Sequence, residues 1–83
     1  MNLLDVQEAR LARTRALMSQ SDAALAKADE AKANLSILRS MEDAGPLHYP
    51  QTKANIIAEW EYWTCEARRL HSEAVLSALS STL

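Results

Sequence analysis

Ile56, Trp60, Trp63, Ala67, Leu70 and Ala74 recur at alternating steps of four and three, and no other pattern constrains this chain so tightly. That alternation returns side chains to one side of a helix. The stretch IIAEWEYWTCEARRLHSEA is therefore a helix whose seam lies along another helix. Glu59, Glu66 and Glu73, also seven apart, are expected on the opposite face, where water solvates them. Both tryptophans of the chain sit on the one stripe.

The partner helix is found upstream. Residues from about 2 to 42 read as helix, with Leu4, Leu11, Met18 and Leu25 repeating every seven. Thr14, Ser21, Ala28 and Leu35 fall between them, and Ala24, Ala31 and Leu38 form the adjoining row. The middle of this stripe is small-sided, which lets two backbones approach or lets a large partner side chain fill the space. Ser19 followed by Asp22 carries a helix-start signature, so a break there is the alternative to one continuous helix.

The chain turns at Glu42–Pro50. Gly45 suits the left-handed position after a helix end, and Pro46 just beyond it stops the helix. Pro50 fits the first turn of the next helix, with Thr52 as an alternative cap, and that helix runs from about 51 to 80. A loop this short, about 43 to 50, returns the second helix antiparallel to the first. Folding about it pairs Trp63 with Ala31, Trp60 with Leu35, Ala67 with Ala28, Leu70 with Ala24 and Ala74 with Ser21, within about one turn. Large then faces small, as close packing demands. About the first ten residues, Leu3, Leu4 and Val6 among them, are left without cover. Near the other terminus Val75, Leu76, Ala78, Leu79 and Leu83 spread around most of the helix, which calls for burial on more than one side. Both features lie at the end away from the loop, and the second contact surface is expected there.

The expected fold is one all-α domain, residues 1–83: an antiparallel hairpin of coiled-coil type that dimerises into a four-helix bundle. A three-helix bundle broken near Ser19 is the alternative. Eighty-three residues bury only about 60% of their unfolded surface, so the core needs reinforcement. Cys65 is the only cysteine and cannot pair within the chain, and no Cys/His set has zinc-ligand spacing. Association, as a homodimer or with another protein, is what remains. One Gly, two Pro and no Phe fit an all-helical chain. The net charge of −2 argues against a general nucleic-acid binder. The N-terminus lacks the apolar run of a classical signal peptide, and no stretch approaches ~18 uninterrupted apolar residues, so no membrane span is expected. With its lone thiol, the chain is expected in the cytoplasm of a bacterial or host cell.

Trp60 and Trp63 read as packing residues, while Tyr62, off their stripe, is a candidate contact residue. Arg10, Arg13, Arg15, Arg68 and Arg69 form the one basic concentration, able to hold phosphate or an acidic protein surface. Glu8, Glu66 and Glu73 lie nearby, which makes mutual pairing the competing reading. Cys65 and His71 fall on different faces and His48 lies in the loop, so neither a metal site nor a Cys–His nucleophile is expected; Cys65 reads as a small half-buried residue. No phosphate loop or catalytic motif is present, and no cofactor is expected.

In general plan, a short helical hairpin with a Pro-bracketed loop resembles several secretion-needle subunits and Rop-type dimers. In Ala-rich composition the chain resembles small phage-encoded inhibitors. The likeness is one of plan and composition, with no motif matched residue by residue. The expected function is non-enzymatic protein–protein interaction, as an adaptor, inhibitor or chaperone acting through Leu3, Leu4, Tyr62, Val75, Leu76, Leu79 and Leu83. The alternatives are a nucleic-acid-binding dimer using the arginines, and a structural or secretion-apparatus subunit.

Overall fold

A computed structural model describes residues 2–46 and 48–81, Ser81 by its backbone only. Two helices pack as an elongated hairpin: α1, Leu3–Ala44, and α2, Pro50–Ser81. The rod measures 67 × 15 × 13 Å. Its length is that of α1, since 42 residues at about 1.5 Å rise span about 63 Å.

Both helix starts have local causes. The Asn2 side chain accepts from the Leu4 N–H at 3.3 Å, and its carbonyl accepts from Asp5 and Val6, with Asp5 favourably placed in the first turn. Pro50 takes the first position of α2, where its missing N–H goes unmissed, and the Tyr49 carbonyl accepts from Lys53 at 2.9 Å. Thr52 lies inside the helix and does not cap it. Helix α1 passes through Ser19–Asp22 without a break. Its alanines favour continuation, and the Ser21 hydroxyl is spent on the neighbouring helix instead of its own backbone.

Gly45 departs from expectation. It is extended, φ −145° and ψ 172°, and no described residue has positive φ. The following Pro46 pushes the residue before it out of the helical region, so the helix ends without a left-handed cap.

The seam of α1 is Thr14, Leu17, Ser21, Ala24, Ala28, Ala31, Leu35 and Leu38, all buried. Against it lie Ala67, Leu70 and Ala74, buried, with Ile56, Trp60 and Trp63 half-buried. The row Leu4, Leu11, Met18 and Leu25 is not part of it; these four are 61, 49, 51 and 51% exposed. Hydrophobicity favours that row, but closeness decides otherwise. Helices meeting on methyls and hydroxyls approach further than helices held apart by Leu and Met, and Leu17 joins from the adjoining row instead. Glu66 and Glu73 are likewise half-buried beside the seam, not opposite it.

Polar bonds define the register. Ser21 Oγ donates to the Ala67 carbonyl at 3.0 Å, so a side chain of two heavy atoms reaches the opposite backbone. Thr14 Oγ1 donates to its own Arg10 carbonyl, which leaves Ser77 Oγ to donate to Thr14 across the seam at 2.8 Å. Thr14 thus faces Ser77, and because the Ala67 carbonyl points one turn toward the C-terminus, Ser21 lies level with about Leu70, one turn from the expected Ala74. At the loop end Lys53 Nζ stands 3.9 Å from Glu42.

Two substitutions test this packing. Ala28→Leu, at the most deeply buried position of the seam, should destabilise by about 1–3 kcal/mol through overpacking, read as a lower urea midpoint at unchanged slope. Gly45→Ala should be neutral or stabilise by up to about 1 kcal/mol, because a Cβ there meets only the Met41 carbonyl at 3.7 Å.

Candidate interaction surfaces

Arg10 already reaches the Ser80 carbonyl at 3.3 Å, so Leu3–Ala9 form an overhang of about 10 Å past the described end of α2, with Val6 half-buried among them. Leu3 and Leu4 are exposed on it. Val75, Leu76 and Leu79 are exposed on the facing end of α2, Leu76 by 64% and Leu79 by 59%. These five of the seven expected contact residues gather at the open end. Tyr62 is exposed but stands about 20 Å nearer the loop, its ring edge-on to Trp63 at 4.9 Å. Leu83 lies outside the described residues.

The five arginines do not form one patch. Arg10 and Arg13 share a groove of about 500 Å³ with Glu73, Leu76, Ser77 and Ser80. They also border a second one along the overhang with Asp5, Val6 and Ala9. Arg68 lines a different groove, with Trp60, Glu61, Thr64 and Cys65. Arg15 is exposed about 200° around α1 from Arg13. Arg69 is held by both neighbouring glutamates: Nη1 to Glu73 at 2.7 Å, and Nε with Nη2 on the two oxygens of Glu66. The hydrogen bonds from Arg69 lower the Glu66 pKa, and the carboxylate raises that of the guanidinium in return. Arg10, Arg13, Arg15 and Arg68 make no ion pair among the described residues.

Cys65 is exposed, not half-buried, because it falls on the outer face of α2. His48 Nδ1 lies 3.3 Å from Glu42, and His71 is exposed on α2. No three His, Cys, Asp or Glu side chains are grouped to hold a metal among the described residues. Two contacts have no signature in the sequence. Lys27 Nζ stands 4.3 Å above the Trp63 ring, and one oxygen of the largely buried Glu42 carboxylate has no hydrogen-bond partner among the described residues. No helix among the described residues is long and apolar enough to cross a membrane.

The Glu66–Arg69 pair has a signed pH dependence. A carboxylate whose pKa falls on folding adds stability above its ordinary value near 4.5, and loses it as pH drops through the lowered value. Wild type should exceed Glu66→Gln in thermal midpoint at neutral pH by a small margin that salt reduces, the pair being solvated. The margin should shrink below about pH 4.5 and vanish in stronger acid. Comparison with protein-family models, with curated proteins and with solved structures finds no match for this chain.

Proposed function

We propose that the chain is a non-enzymatic interaction protein, an adaptor, inhibitor or chaperone, that self-associates into a four-helix bundle and occupies a surface of another protein in the cytoplasm. The observation that carries this reading is the open end. Leu3, Leu4, Val75, Leu76 and Leu79 are each exposed near that end, around helices whose own seam they do not join. Apolar surface concentrated in this way marks a contact site. A rod 15 × 13 Å across is also too thin to enclose a substrate and strip it of water, which supports binding over catalysis.

One observation favours a second reading. Arg10 and Arg13 share a groove and make no ion pair among the described residues, as a phosphate-binding surface requires. Glu73 in the same groove and the net charge of −2 weigh against it. A third, a structural or secretion-apparatus subunit, has only the rod shape in its favour and calls for open-ended assembly with concentration.

Leu76→Asp and Leu79→Asp separate these readings. Both should keep full helicity by circular dichroism and lose capture of a host protein that the wild type retains. Unfolding of both variants would place these leucines in a core and sink the assignment. Mobility shifts with DNA or RNA at low salt, abolished by Arg10→Ala with Arg13→Ala, would instead establish the nucleic-acid reading.

A further inference from the structure

The row Leu4, Leu11, Met18 and Leu25 continues along α1 as Lys32 and Arg39, each seven residues on. Lys32 and Arg39 frame a groove with Leu35, Ser36 and Trp60. Lys27 and Asn34 frame a different one, with Glu59 and Trp63. The apolar row and Trp60 therefore share one long side of the rod. That side carries large apolar groups from the overhang to within about three turns of the loop, and Trp60 on it is only half-buried.

We propose that this side, and not the open end, is where a second copy of the chain lies, antiparallel and with its twofold axis near Met18. The inference rests on the dimer reading above and specifies its face. Area decides between the surfaces. The open end, from Leu3 to the level of Val75, takes in about 20 Å of a rod 15 Å wide, so one flank of it offers only about 300 Å² per copy, far below the ~800 Å² per partner of a stable interface. A long side is 67 × 15 Å. An axis at Met18 lies about 8 Å from the middle of α1, so two copies overlap over about 50 Å and cover about 750 Å² each.

The row suits such an axis. Twofold symmetry requires one patch to complement itself, and an axis at Met18 pairs Leu11 with Leu25 and sets Leu4 beside the stem of Lys32. Met18 meets Met18 of the second copy. The Leu4 overhang, uncovered within its own chain, reaches the Trp60 end of the other. Each copy thereby covers the shoulders that a two-helix seam leaves open. The α2 residues Leu76 and Leu79 stay outside this contact and remain available to a different protein.

The test is the mass of the full chain in solution by sedimentation equilibrium, across a dilution series, for wild type and variants. Wild type should run at about 18 kDa, twice the 9.2 kDa of one chain. Met18→Glu should halve that mass with helicity intact, because Met18 is half exposed in the hairpin itself and its charge would meet its own copy at the axis. Ile37→Glu, about 140° around the helix from Lys32, should leave the mass unchanged. In a Cys65→Ser background, M18C should form a disulfide-linked dimer under mild oxidation, a readout that stands even where Met18→Glu fails to fold. A dimeric wild type whose M18C variant does not cross-link, or whose Met18→Glu variant stays dimeric and folded, overturns this face while leaving the dimer reading in place. A monomeric wild type overturns both.

Discussion

The contact on which the hairpin depends is the close approach of two backbones, marked where the Ser21 hydroxyl reaches the Ala67 carbonyl of the other helix. Such closeness is available only because Ser21, Ala24, Ala28 and Ala31 put little more than a methyl group between the helices. The consequence is a thin core. Among the described residues no large side chain is fully enclosed, and both tryptophans keep an edge in solvent. What the small seam adds in dispersion contacts it forgoes in volume, so bulky apolar groups are displaced to the shoulders of the rod.

A seam of methyl groups has weak preferences for register, since sliding by one turn exchanges one alanine for another. The polar bonds across it supply the preference. Slipping would cost the buried Ser21 hydroxyl its cross-seam acceptor and break the Thr14–Ser77 bond, at about 1 kcal/mol for each hydrogen bond lost. Lys53 opposite Glu42 works in the same direction at the loop, where a largely buried carboxylate gains from a cation nearby. Lys27 over the Trp63 ring adds a contact between the helices midway. Register in turn determines which residues overhang, so which apolar groups stay exposed follows from a few hydroxyl groups in the seam.

Seen this way, the two proposals divide the exposed apolar surface by shape. A long side suits a second rod of the same length, and the end of α2 suits a smaller patch on a different protein. The arginines fit the same division. Arg69 is occupied by Glu66 and Glu73 on its own helix, whereas Arg10 and Arg13 flank Leu76 at the open end, where an acidic rim on a partner would meet them.

Two helices, their turn between Ala44 and Pro50, the stripe from Ile56 to Ala74 and the small residues facing it were all legible in the sequence. Periodicity, proline position and side-chain size are local properties that need no knowledge of the partner. Gly45 shows the limit even of local reasoning: two rules applied, and the steric demand of Pro46 prevailed over the usual glycine cap. The candidate site was legible in part, as apolar residues crowding both termini. Their common place at the end away from the loop was legible too; the scattering of the five arginines and the exposure of Leu4, Leu11, Met18 and Leu25 were not. The amino-acid order alone determined that there would be two helices and which residue types could line a seam. Only the tertiary structure decided which of two neighbouring rows on α1 became that seam. The choice depends on how near the other helix can come, and distance between helices is a property of the pair.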